Sequence, residues 1–115
     1  MKKHSIMINI MILILVSIRC ASFKSNEVGD IDVQFEKAKS FLDKKKYLRA
    51  QEEFNNLVIR GTHTELGDDS QFYLAESYFL NKEYLLAIAE YDRLIRRMGF
   101  SPYVEKSRWR VCQSY

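Results

Sequence analysis

The chain has 115 residues, room for one modest domain. Its formal charge of +3 resides in Lys2, Lys3 and Arg19 at the start; from Cys20 onward, 15 basic residues face 15 acidic ones. A neutral chain gives no electrostatic footing for nucleic acid, so no nucleic-acid partner is expected.

Residues 1–20 read as an export signal. Lys2 and Lys3 make a charged start, and Ile6 to Ile18 an apolar core of 13 residues broken only by Asn9 and Ser17. A membrane span needs about 20 apolar residues, so this run has the length of a signal core instead. Cys20 follows where a bacterial lipoprotein signal places its lipid-bearing cysteine. Cleavage before Cys20 would free its amine for acylation, and its thiol would carry a diacylglyceryl group. Arg19 departs from the small residue usual at that position. The alternative is an ordinary signal peptide or uncleaved anchor with Cys20 incidental. With lipid on Cys20, the following Ala21-Ser22 lack the aspartate of inner-membrane retention and point to the outer membrane.

Residues 21–30 are polar and aperiodic, and read as a flexible tether. A first helix is expected from Asp30 or Asp32, as cap, to about Lys45, and a second from Tyr47 to Arg60, ended by Gly61. A loop at 62–67 leads to a third helix capped by Asp68 or Asp69, with Phe72, Ala75, Tyr78 and Phe79 at helical spacing. Asn81-Lys82-Glu83 is short and polar, as an antiparallel hairpin requires. A fourth helix then carries Ala87, Ile88, Tyr91, Leu94, Ile95 and Met98 to a stop at Gly99. Ser101-Pro102 opens a fifth.

Sliding the sequence by 37 residues lays the first hairpin on the second. Ala50 falls on Ala87, Phe54 on Tyr91, Leu57 on Leu94 and Tyr47 on Tyr84. Phe35 falls on Phe72 and then Trp109, Ala38 on Ala75 and then Cys112, and Phe41 on Tyr78 and then Tyr115. The spacing of Ala75, Tyr78, Tyr84, Ala87 and Tyr91 is the tetratricopeptide pattern, lengthened from its usual ~34 residues in the connection 61–67. Small residues at Ala75 and Ala87 let two helices approach, and Tyr78 and Tyr91 fill the space around them. Gln34 and Gln71 stand where such repeats often carry tryptophan. The predicted fold is therefore all-α: tetratricopeptide-like helical hairpin repeats forming an α–α superhelix of about two and a half units. The units are 31–67, 68–104 and the first helix of a third at 102–115. Such stacks need about three units, so the chain reads as the N-terminal piece of a longer repeat protein. Cys112, at the small-residue position, is expected to be buried.

No constellation for chemistry emerges. His63 has no second histidine or cysteine at ligand spacing, so no metal is expected. Glu52-Glu53 and Asp68-Asp69 are sequence neighbours that point apart on a helix. No glycine-rich phosphate loop is present, and no cofactor or catalytic residue is expected. What remains is a surface. In tetratricopeptide arrays the first helix of each unit lines a groove, which places Phe35, Phe72 and Trp109 at equivalent groove positions. Lys39, Glu76 and Gln113 lie one turn on, followed by Leu42 and Phe79. Such an aromatic ladder suits an extended peptide. The alternative is that each aromatic packs between successive repeats.

With its lengthened repeat, the helix EYLLAIAEYDRLIRR (83–97) and the segment SPYVEKSRWRVCQSY (101–115), the stretch 31–115 resembles the BamD family. These are tetratricopeptide lipoproteins of the outer-membrane β-barrel assembly machinery. The resemblance implies a non-enzymatic scaffold, lipid-anchored on the periplasmic face of the outer membrane. Its partners would be unfolded outer-membrane protein clients and the barrel-forming subunit. Phe35, Lys39, Phe72, Glu76, Phe79 and Trp109 would form the client groove. Two alternatives are another periplasmic tetratricopeptide scaffold, serving the Tol system or cell-wall enzymes, and the docking module of a longer enzyme.

Overall fold

The computed structural model describes residues 27–61 and 63–115, with side chains from Asp30 onward. The signal, most of the tether and Cys20 lie outside the described residues. The described secondary structure is helical throughout: α1 Glu27–Asp43, α2 Tyr47–Gly61, α3 Gly67–Leu80, α4 Tyr84–Arg97 and α5 Val104–Ser114. Ile31–Tyr115 forms one compact unit in which α2 packs on α3, α3 on α4 and α4 on α5. No described helix is long and apolar enough to cross a membrane.

Five of the residue pairs matched between the two complete hairpins are buried at both members. Phe35, Ala38, Ala50, Phe54 and Leu57 form one core with Leu74 of the next helix. Phe72, Ala75, Ala87, Tyr91 and Leu94 form a second with Val104 of α5. The four alanines are fully buried, which is what brings each helix pair together. Each large side chain that fills such a contact contributes about 1.5–3 kcal/mol. Tyr73 packs against both cores and joins the repeats. The fold is thus all-α and tetratricopeptide-like. Gln71, at the position where such repeats favour tryptophan, donates to the Glu90 carbonyl (3.2 Å) and carboxylate (2.7 Å), tying α3 to α4 by hydrogen bonds instead of a ring. Gln34 accepts from Arg60 (2.9 Å) at the equivalent place.

The two hairpin tips are copies in backbone detail. The amide of Lys46 donates to the Phe41 carbonyl (2.8 Å) and that of Lys45 to Leu42 (2.9 Å). The amide of Glu83 donates to Tyr78 (2.9 Å) and that of Lys82 to Phe79 (3.0 Å). These are paired Schellman closures, whose left-handed residue is usually glycine. Here it is a lysine both times, Lys45 at φ 57° and Lys82 at φ 65°.

Helix ends differ from expectation. α1 begins at Glu27, so the tether's last residues are helical and Asp30 and Asp32 lie within the helix. Asp68 and Asp69 do not cap α3, which starts at Gly67 with no side-chain cap bond. They sit in its first turn, where carboxylates suit the helix dipole, and accept hydrogen bonds from Ser101 and Tyr103 in the turn before α5. The α5 helix begins at Val104 because Ser101 and Pro102 belong to the turn before it. Neither Gly61 nor Gly99 is left-handed. Gly61 supplies room: a Cβ there would meet the Thr64 hydroxyl at 3.1 Å, and that hydroxyl donates to the Gly61 carbonyl (2.8 Å).

Candidate interaction surface

The first helices α1, α3 and α5 share one face, and contacts along it repeat with changed chemistry. Lys39 of α1 lies over the ring of Tyr73 in α3, with Nζ 5.1 Å from the centroid. One repeat on, Glu76 takes the place of Lys39 and Arg110 that of Tyr73. There Arg110 grips Glu76 with both prongs, Nε to Oε1 at 2.6 Å and Nη2 to Oε2 at 3.0 Å. Tyr91 donates its hydroxyl to the same carboxylate (2.5 Å). The boundary between repeats is a cation on a ring in one case and a forked ion pair in the other.

The ion pair is the strong version, because both oxygens of Glu76 are engaged and little of it meets water. The Arg110 guanidinium is held charged chiefly by its bond to Glu76. Burial, and then the Glu76 carboxylate, push the Tyr91 hydroxyl well above the usual tyrosine range. Tyr103 is raised too, by burial and by its bond to Asp69 (2.5 Å). That bond, with Ser101 donating to Asp68 (2.7 Å), fastens the loop before α5 to the start of α3.

Two expected groove residues are core instead. Phe35 and Phe72 are 6% and 1% exposed, so they do not form an open aromatic ladder. Phe35 meets Phe54 and Tyr73 edge-on, and Phe72 is stacked on Tyr103 at 4.4 Å. The physical reason is that this register position faces the junction of three helices, where a ring fills space no smaller group could. Trp109, their counterpart on α5, is 65% exposed because no second helix of its own unit lies against it among the described residues. For the same reason Cys112 is exposed, against the expectation of burial. Lys39 remains half-exposed on the face, and Glu76 is buried under Arg110. Phe79 is half-buried, with the Arg110 guanidinium 4.5 Å from its ring centre and Tyr84 against its edge.

The accessible face thus consists of Lys39, Tyr73, Phe79, Lys106, Arg110 and Gln113, and Trp109 is exposed on α5 at the register position of Phe35 and Phe72. Lys106 covers Phe72 at 4.8 Å, so an ammonium, not a ring, is presented there. Sequence reasoning missed Tyr73, Lys106 and Arg110. Tyr73 and Arg110 occupy one register position, and that match would have pointed to them had residue class not differed. Phe35, Lys39, Phe72, Glu76 and Phe79 are brought together in a continuous network, while Trp109 stands apart from it. Around the inter-repeat loops, at the far end of the helices from the tips, lie two clefts of about 470 and 340 Å³ sharing Gly67, Arg97 and Met98. His63 lines the larger; among the described residues no group of three histidine, cysteine or acidic side chains could hold a metal.

No protein-family model matches this chain, and no curated protein matches it significantly.

Proposed function

We propose that this chain is a scaffold of the bacterial outer membrane, lipid-anchored through Cys20, whose repeat face binds segments of proteins being assembled there. The observation that carries this reading is the combination of a leader sequence with the pattern of an export signal up to Cys20 and a tetratricopeptide-like stack. The stack bears exposed ring and cation positions along its first helices. The resemblance to the BamD family supports unfolded barrel proteins as clients and a barrel-forming subunit as partner. With Phe35 and Phe72 in the core, the client-contacting residues become Lys39, Phe79, Trp109 and the cations Lys106 and Arg110.

Metabolic labelling with radioactive palmitate, beside a Cys20→Ala chain, tests the anchor; label that depends on Cys20 is expected. Exported chain without label would favour the second reading, a soluble periplasmic scaffold, for which Arg19 before the cysteine is the supporting observation. Binding of a peptide with a C-terminal aromatic residue tests the face. Trp109→Ala is expected to weaken it by about tenfold or more without loss of fold, since an exposed tryptophan on a binding face is a typical energetic centre. Unchanged affinity would remove Trp109 from the site.

A further inference from the structure

The hairpin tips carry a feature that the groove reading does not use. On the first tip Lys44, Lys45 and Lys46 are exposed, followed by Leu48 and Arg49. On the second, Leu80 and Lys82 are exposed, followed by Tyr84, Leu85 and Leu86. Leu48 and Leu85 hold the same register position and are 68% and 82% exposed. The tips are neighbours: Gln51, one turn after Leu48, donates to Glu83 at 2.5 Å. They therefore form one edge of the stack.

We infer that this edge, Lys44–Arg49 with Leu80–Leu86, docks on an anionic bilayer surface. Three observations converge. The first is charge. Five basic side chains, Lys44, Lys45, Lys46, Arg49 and Lys82, share the edge with two exposed acids, Asp43 and Glu52. None of the five makes a salt bridge among the described residues. Glu83 is already held by Gln51 and Asn81. The second is apolar character: leucines and an amphipathic tyrosine interleaved with lysines are the side chains that enter the headgroup layer while their charges meet phosphates. The third is strain. A lysine at left-handed φ, where glycine is the unstrained choice, occurs at both tips in the same register, and strain kept twice points to use of the side chain.

A protein partner is the rival occupant. Energetic centres of protein interfaces sit in pockets, and neither of the two clefts described above takes a residue from this edge. A bilayer needs no matching cavity. The proposal does not rest on the anchor at Cys20 or on the client face.

The test places an indole on the edge, as Leu85→Trp with Trp109→Phe in the full chain, reconstituted with vesicles of brominated-acyl phosphatidylglycerol and phosphatidylcholine. The apolar leader partitions alike in every variant, so the readout is local to position 85. Quenching and a blue shift are expected with phosphatidylglycerol and their loss with phosphatidylcholine alone. Both should also be lost when Lys45 and Lys82 become glycine, a change expected to raise the melting temperature, and a thermal melt of that variant separates lost docking from lost fold. In the wild-type chain Trp109, two turns back from the tip in register, should stay unquenched. Equal quenching without anionic lipid, quenching that survives in K45G/K82G, or equal quenching of Trp109 would each overturn the proposal. So would the absence of quenching in every vesicle, which would leave the edge to a protein partner.

Discussion

Ser107 carries the one buried hydroxyl among the described residues that lacks a hydrogen-bond partner. Burying a hydroxyl unpaired costs about 1–3 kcal/mol, so Ser107→Ala should stabilise the chain by about 1 kcal/mol, read as a higher urea midpoint. Arg110 is the opposite case. Arg110→Ala would leave Glu76 charged and nearly dry, at a cost of about 2–3 kcal/mol. That is below the full figure for a buried pair, because Arg110 keeps 24% of its side chain in water. Two phenols bonded to carboxylates set an alkaline limit. Tyr91 and Tyr103 hold their protons above the ordinary tyrosine pKa of about 10, where the unfolded chain releases them. The folded state then binds more protons than the unfolded one, so stability is fully present below that pH and falls as pH rises through it. Titration at 295 nm should show these two phenols ionising only together with unfolding.

At the scale of the helices, what could be read in the sequence was packing, and what could not was capping. Ala38, Ala50, Ala75 and Ala87 announce close helix contacts through their size and spacing, and all four are fully buried. Helix ends depend on loops whose partners are distant in the chain. Asp68 and Asp69 have the chemistry of caps, yet Ser101 and Tyr103 claim them, and nothing within a few residues reveals that. The aromatic at Phe72 illustrates a different limit. Periodicity places it on the first helix of its unit but does not distinguish an open face from a three-helix junction. Its burial predicts that Phe72→Ala costs about 3–5 kcal/mol, seen as loss of the cooperative unfolding transition and not only of binding. At the tips, Lys45→Gly and Lys82→Gly should each stabilise by about 0.5–1 kcal/mol. Relief of the left-handed strain exceeds the added entropy of the unfolded chain, and urea unfolding would measure the difference.

For the molecule as a whole, a period of 37 residues repeats the core and the turns but not the joint between units. Lys39 meets Tyr73 at the first joint, and Glu76 meets Arg110 at the second. That difference bears on how such an array can change by gene slippage. Losing the second repeat in frame would bring Lys39 opposite Arg110, cation against cation. Gaining a copy of the second would set the Glu76 carboxylate against the ring of another Tyr73, with no guanidinium to neutralise it. Losing or copying the second unit by unequal recombination, to which tandem repeats are otherwise prone, would thus yield a mismatched joint, and the joints weigh against a change in its copy number.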